Sequence, residues 1–145
     1  MASVLDQLNI VSGDLDATIV FYRRLGVPMG EPARTDDGTA FHVNSGSAAG
    51  ACLEADSAPF ARYWNKGWAG EADLKGRVLI GLRVAERGEV DRLYREATEA
   101  GHRGLQPPTD GFWGARYAIV EDPNGLAVGL MSEISDEHRS PPGWP

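Results

Sequence analysis

The sequence lacks several features that define common classes of protein. It has a single cysteine, Cys52, among 145 residues, so an intrachain disulfide is excluded. No apolar run approaches the roughly 20 residues that a membrane-spanning helix needs. The N-terminus carries neither the basic region nor the apolar core of a signal peptide. We therefore expect a cytoplasmic protein, and we interpret Cys52 as a small buried residue rather than a nucleophile.

Basic residues are also scarce. The chain has 14 Lys and Arg against 21 Asp and Glu, which leaves a formal net charge of −7. The calculated isoelectric point is near 4.9. Binding to nucleic acid phosphates requires a basic surface, and an anionic membrane makes the same demand. The composition therefore argues against both nucleic acid and membrane partners.

The usual signatures of catalysis are missing too. There is no Gly-x-Ser-x-Gly motif, no Gly-rich phosphate loop and no paired-carboxylate pattern. Of the three histidines, His102 follows a helix-ending glycine and His138 lies in a charged tail, so both are expected at the surface. His42 alternates with Phe41 and Val43, which makes it the one histidine expected near a site, although a lone histidine is more often structural. We predict no catalytic residues.

What the sequence does contain is a clear strand–turn–strand ending. In the stretch from Ala115 to Met131, Asp-Pro-Asn-Gly at 122–125 separates two short apolar runs. Proline fixes one φ angle there, and Asn-Gly tolerates positive φ, so the stretch predicts a hairpin. Near the N-terminus, a strand is followed by a helix that Asp14 can cap and Gly26 can end.

A weak internal repeat relates the two ends of the chain. Phe21-Tyr22 aligns with Leu93-Tyr94 at an offset of 93 − 21 = 72 residues, and the same offset aligns the strands 8–11 and 80–83. Each half then reads as a strand, a helix and about three strands. The strands of the first half are predicted at 4–11, 26–31, 39–44 and 49–55. Those of the second half begin with 76–84 and 103–106, where Pro107-Pro108 ends the strand, and finish with the hairpin. We predict a first module at 1–56, an aromatic-rich crossover at 57–75, a second module at 76–132 and an extended tail at 133–145.

The opening strand and helix, Leu8 to Gly26, and the hairpin, Ala115 to Met131, together resemble the vicinal oxygen chelate superfamily. That superfamily includes glyoxalase I, extradiol dioxygenases, fosfomycin-resistance enzymes and bleomycin-resistance proteins. The resemblance implies an α+β fold in which two βαβββ modules form curved mixed sheets around a cleft, with the helices outside. It also implies a homodimer.

Strand alternation predicts which side chains face away from the helices. In the first strand these are Gln7 and Asn9, and the repeat places Arg83 and Gly81 correspondingly in the second module. In the last strand Gly129 faces the cleft by resemblance. Glycine at 81 and 129 either leaves space for a ligand or only relieves crowding in a bent strand, and both interpretations stay open.

The resemblance also indicates where a divalent metal would be held. The usual ligand positions fall on Gln7, Leu79 and Gly129, and neither leucine nor glycine offers a side-chain donor. A metal site needs at least three good donors. His42 and Glu54 could reach the cleft, but with Gln7 they would form an atypical, one-sided site. We therefore expect no metal and no cofactor.

The most informative feature of the composition is the clustering of its aromatic residues. Phe60, Tyr63, Trp64 and Trp68 lie in the Gly- and Pro-containing crossover, and Phe112 with Trp113 precedes the hairpin. Such rings could fill a core or a dimer interface. They could instead form a stacking clamp for a flat ligand, because loops on a rigid scaffold are where binding residues concentrate.

These observations leave three hypotheses. The first is a metal-independent protein that binds a small aromatic molecule, in the manner of the metal-free, bleomycin-resistance-like branch, and sequesters a natural product or antibiotic. The second is a divergent glyoxalase-like lyase or isomerase, or a dioxygenase, with metal ligands relocated to His42 and Glu54. The third is an interaction module whose aromatics make the homodimer. For the first, the expected ligand-binding residues are Gln7, Asn9, His42, Trp64, Trp68, Arg83, Phe112, Trp113 and Gly129.

Overall fold

The computed structural model describes residues 7–46, 50–64 and 78–141. The chain divides into two compact units, Met1–Ala72 and Asp73–Pro145. Within the described ranges no helix is both long and apolar enough to span a membrane. The predicted strand starts at Val4, Ala49 and Gly76, and Trp68, lie outside the described residues.

The first unit contains the elements β1 (Gln7–Ser12), α1 (Leu15–Arg24), β2 (Ala33–Arg34), β3 (Ala40–Asn44), β4 (Cys52–Ser57) and α2 (Ala58–Trp64). Its strands form a four-stranded mixed sheet in the order β1-β4-β3-β2. β1 pairs with β4 in parallel, and the remaining pairs are antiparallel.

Helix α1 covers one face of this sheet. Asp14 caps it as predicted, because its carboxylate accepts a hydrogen bond from the Ala17 N–H at 3.0 Å. Phe21 and Tyr22 are fully buried on the helix. On the sheet, the buried apolar residues Ile10, Val43 and Ala55 alternate with more polar neighbours and share one face through the register. The residues between them therefore point to the opposite face.

The predicted second strand at 26–31 is wrong. Gly26 has a φ of +87° and ends the helical region, and the chain stays irregular until β2 begins at Ala33. The apolar pattern that suggested a strand has another cause: Met29, 4% exposed, packs into the core from an irregular segment. Arg23 stabilises the irregular segment by donating to the carbonyls of Met29 and Gly30.

The second unit repeats the arrangement with the elements β5 (Leu79–Val84), α3 (Arg87–Glu99), β6 (Gly104–Asp110), β7 (Arg116–Glu121) and β8 (Ala127–Ser132). Its strand order is β5-β8-β7-β6. β5 pairs with β8 in parallel, and β8–β7 and β7–β6 are antiparallel. Val90, Leu93 and Ala97 of α3 are buried.

The predicted hairpin at the end of the fold is confirmed. Asp122, only 3% exposed, accepts hydrogen bonds at 2.8 Å from the backbone N–H groups of Asn124 and Leu126, and Gly125 adopts a φ of +83°. This side-chain-to-backbone turn fixes the register of β7 and β8.

The prediction that Pro107-Pro108 ends a strand is wrong. β6 continues through both prolines to Asp110, with a register shift between Gln106 and Thr109. β6 is the edge strand of its sheet. An edge position and a bulge tolerate proline because the missing N–H would not have paired there.

Beyond β8 the chain docks on the loop that joins β6 and β7. A 3₁₀ helix spans Asp136–His138, and Arg139 forms an antiparallel bridge with Trp113. The N–H groups of Ser135 and Ser140 donate to the carbonyls of Gly114 and Phe112 at 3.1 and 3.0 Å. The predicted fold class, α+β with two βαβββ modules and mixed sheets, is confirmed by these two sheets and three helices.

Candidate ligand-binding site

The polar face of the first sheet is the side that α1 does not cover. The register pairs Asn9 with Glu54 and His42 with Asp56, and paired residues project on the same side of a sheet. Asn9 therefore lies where the alternation predicted. Gln7, which is exposed, lies on this face beside Cys52 but outside the group of hydrogen bonds described next.

Asp56 is the centre of that group, although only 2% of its surface is exposed. Its Oδ1 lies 2.6 Å from Nδ1 of His42. Its Oδ2 accepts from the Trp64 indole N–H at 2.9 Å and from the Asn9 amide at 3.0 Å. Two N–H donors and the adjacent His42 nitrogen compensate the cost of burying the carboxylate, and these contacts orient all three side chains.

Asp56 was not among the predicted site residues. The predicted strand ended at Ala55, so the carboxylate appeared to lie just outside the sheet. The structure extends β4 to Ser57, which places Asp56 two residues after Glu54 on the same face. An alternating pair of acids at the end of an apolar strand was the signal that could have revealed it.

Aromatic rings lie beside this polar group. Phe60 packs against Phe41 and His42, with ring centroids 5.0 and 5.8 Å apart, and stacks nearly parallel to Tyr63 at 6.5 Å. Tyr63 is 75% exposed and Trp64 46% exposed. The indole of Trp64 is thus anchored at its N–H while much of its ring stays accessible. We call Asn9, His42, Asp56 and Trp64 the anchor group.

The second module carries a separate aromatic cluster. Phe112 and Trp113 meet edge to face at 5.2 Å, and Trp113 meets Tyr117 edge to face at 5.5 Å. The indole folds back over Gly111, where an added Cβ would approach its ring atoms to 2.6 Å. Burial raises the pKa of the Tyr117 phenol. Tyr117 was not predicted as a member of this cluster.

The space beside Gly129 is filled. An added Cβ would lie 2.8 Å from the Tyr117 hydroxyl and 2.9 Å from a methyl carbon of Leu79. Gly129 therefore accommodates the tyrosine ring. At Gly81, its neighbour in the register, an added Cβ would meet no atom of the described residues within 4 Å.

Arg83 and Arg116 of the second module both form ion pairs. Arg83, 54% exposed, lies 3.6 Å from Glu133. Arg116 binds Asp91 of α3 at 2.7 Å and Asp110 of β6 at 3.1 Å, and the hydrogen bond to Asp91 is the main reason its pKa is raised. Arg116 thus ties α3 to the sheet.

The donor set at the usual metal positions does not fit a divalent ion. Leu79 and Gly129 supply no donor atom, and the region around Gly129 is occupied by carbon atoms and a tyrosine ring. Across the ranges that the structure describes, no three His, Cys, Asp or Glu side chains group as a metal site. His42, proposed as a relocated ligand, is directed at Asp56, while Glu54 lies 3.5 Å from Asn9.

A groove of about 550 Å³ lies at the N-terminus of α1, beside Asp14, Asp16 and Asp37. These acids already serve local structure: Asp14 caps the helix and Asp16 pairs with Arg34 at 2.6 Å. Hydrogen bonds from Thr35 and Thr39 lower the pKa of Asp37 to about 2. The anchor group, which combines accessible rings with a buried acid, is the stronger candidate site.

The repeated βαβββ module places the protein in the class of paired-module α+β folds. Residues 4–130 match the family model of the Glyoxalase/Bleomycin resistance protein/Dioxygenase superfamily. The chain belongs to this superfamily. No curated protein matches the sequence.

Solved structures share the fold at low identity. A glyoxalase/bleomycin resistance protein/dioxygenase from Nocardioides is 21% identical over all of this chain and 91% of its own, with a TM-score of 0.68. Lactoylglutathione lyase from Agrobacterium tumefaciens is 17% identical over 90% of this chain and 94% of its own, with a TM-score of 0.63. TioX from Micromonospora sp. ML1 is 19% identical over 91% of this chain and 100% of its own, with a TM-score of 0.60. At these identities the likeness concerns the fold.

Proposed function

We propose that this protein binds a small aromatic molecule on the polar face of its first sheet, without a metal, and holds the molecule chemically unchanged. The observation that carries the proposal is the state of Trp64. Its N–H is fixed by a buried carboxylate at 2.9 Å, yet the residue is 46% exposed. A ring held in place before a ligand arrives loses little conformational entropy on binding, which favours affinity.

The surroundings of Trp64 support an aromatic ligand. Tyr63 and Phe60 extend the ring surface of α2, and His42 places a further planar ring beside Phe60. Stacked or edge-to-face pairs of rings contribute about 0.5–1.5 kcal/mol beyond the burial of their area. The polar groups below the rings supply orientation, as in most small-molecule sites.

The donor set supports binding without a metal. The positions at which the family resemblance implies metal ligands carry Gln7, Leu79 and Gly129 here. Sequestration of a natural product or antibiotic follows as the biological role, since a protein that binds without chemistry acts by lowering the free concentration of its ligand. We also propose that the protein works as a homodimer, which light scattering after gel filtration tests.

Tryptophan fluorescence titration against a panel of planar aromatic natural products tests the binding. We expect saturable quenching, unchanged after dialysis against EDTA, and ligands recovered with the same mass and the same chromatographic retention. Trp64→Ala should weaken binding by about 1–3 kcal/mol, as for a central anchor residue.

Val20→Ala, at an exposed position on α1, is the control, because α1 lies on the opposite face of the first sheet from the anchor group. Trp113→Ala tests whether the second aromatic cluster, which the sequence also predicts to bind the ligand, contributes to affinity. A ligand recovered in altered form would replace this proposal with an enzymatic one. Absence of binding, together with monomers formed by Trp64→Ala, would assign the rings to a dimer interface instead.

A further inference from the structure

We propose that Asp56 fixes the tautomer of His42 so that Nε2 is a hydrogen-bond acceptor, and that this acceptor selects aromatic ligands carrying an O–H or N–H donor. This inference rests on the proposed function, because it names the chemistry of the ligand that the same face would take. Asp56 is here a positioning residue, and His42 is the residue that would contact the ligand.

The tautomer follows from what each partner of Asp56 can do. The indole N–H of Trp64 can only donate, and it points at Oδ2 together with the Asn9 amide. Asp56 is 2% exposed and its other oxygen, Oδ1, lies 2.6 Å from His42 Nδ1. A carboxylate accepts only, so the proton of the neutral imidazole must sit on Nδ1. Nε2 then carries the lone pair.

The outer nitrogen is placed to meet a ligand. The His42 side chain is 31% exposed, and its ring lies beside Phe60 at the edge of the accessible rings of α2. No described residue forms a hydrogen bond with Nε2. A ligand stacked near Trp64 with a phenolic O–H or a ring N–H can satisfy that acceptor, whereas the same ring with the donor methylated cannot.

Trp64 also determines what happens when the acid is replaced by its amide. In Asp56→Asn the amide oxygen must stay where Oδ2 was, because the indole N–H still donates there. The amide NH₂ then faces His42 Nδ1, where it donates. Nδ1 becomes the acceptor, and the ring proton moves to Nε2. The substitution is expected to reverse the tautomer while preserving the shape of the site.

Nitrogen-15 NMR of the labelled full chain reads the tautomer directly. The sequence has three histidines, and the signals of His42 are the ones that disappear in His42→Phe. We expect the wild-type Nε2 shift to be that of an unprotonated nitrogen, and Asp56→Asn to exchange the two shifts. Glu54→Gln is the matched control, because it removes a charge from the same face without touching His42. A wild-type ring protonated at Nε2 overturns the proposal.

The affinities for 2-naphthol and for its methyl ether, 2-methoxynaphthalene, measure the selectivity. They are compared at a pH where the nitrogen-15 NMR spectrum shows a neutral His42 ring. One hydrogen bond corresponds to a preference for the naphthol of about 3- to 10-fold. We expect that preference in the wild type and in Glu54→Gln, and a ratio near one in Asp56→Asn. Burial alone would favour the ether, so hydrophobicity cannot mimic the expected result.

Equal affinity for the two probes in the wild type overturns this inference and leaves the proposed function standing. Failure of both probes to bind at millimolar concentration overturns the proposed function and the inference together. If Asp56→Asn does not fold, two other results test the inference: the wild-type NMR spectrum, and the ratio of the affinities for 2-naphthol and its methyl ether in His42→Phe. That variant keeps a ring against Phe60 but has no acceptor, so the preference should disappear.

Discussion

The indole N–H of Trp64 donates to the buried carboxylate of Asp56 at 2.9 Å, eight residues earlier in the chain. The bond crosses from α2 to the sheet strand that precedes it. It therefore links an accessible ring to the interior of the first module, and its strength can be measured.

Trp64→Phe should lower the free energy of unfolding by about 1 kcal/mol, because it removes one of the two donors to Oδ2 of a buried acid while keeping an aromatic ring. Urea denaturation measures the loss. The control is a double-mutant cycle with Asp56→Ala, which removes both carboxylate oxygens, whereas Asp56→Asn would keep an acceptor for the indole. Additive effects in that cycle would mean that the two side chains do not interact in solution.

Gly129→Ala should destabilise the second module by about 1–3 kcal/mol, because the new Cβ would overlap the Tyr117 hydroxyl and Leu79. Gly81→Ala is the matched control, because Gly81 lies opposite Gly129 in the register and its added Cβ would meet nothing within 4 Å in the described part of the chain. Thermal unfolding of the two variants should differ clearly. Equal melting temperatures would show that Tyr117 does not cover Gly129.

Gly114→Ala should release the segment that follows β8. Gly114 has a φ of +97°, and an added Cβ would lie 2.3 Å from the Ser135 carbonyl oxygen. Gly38→Ala is the control. It also places alanine at a positive φ, which destabilises the fold by about 1–2 kcal/mol, but its added Cβ would meet no described atom within 4 Å. Limited proteolysis should cut near residues 134–140 faster in Gly114→Ala only. Equal cleavage in both variants would argue against docking of this segment.

The stability of the first module should fall at acid pH through Asp37. Hydrogen bonds from Thr35 and Thr39 lower the pKa of this carboxyl from 3.8 to about 2 in the folded chain. A depressed folded pKa stabilises the fold above the unfolded value, and that contribution disappears as the pH falls from about 4 to 2. Asp37→Asn should flatten this part of the stability profile measured by urea denaturation. An unchanged slope would contradict the assignment.

The fold was largely predictable because its signals are local. The Asp-Pro-Asn-Gly turn, the capping Asp14 and the strand–helix repeat at an offset of 72 residues each depend on neighbours in sequence. The errors arose where a tertiary partner overrides a local preference. Met29 is buried without belonging to a strand, and the prolines of β6 are tolerated because that strand is an edge.

The sequence by itself determined the two βαβββ modules, the family, and the lack of metal donors at positions 79 and 129. The tertiary structure decided which polar residues meet. Asn9, His42, Asp56 and Trp64 come from β1, β3, β4 and α2, and only the pairing of these strands brings them within hydrogen-bonding distance. Periodicity indicates the face on which a side chain lies. Register and burial determine its partner, and these depend on the packing of the whole module.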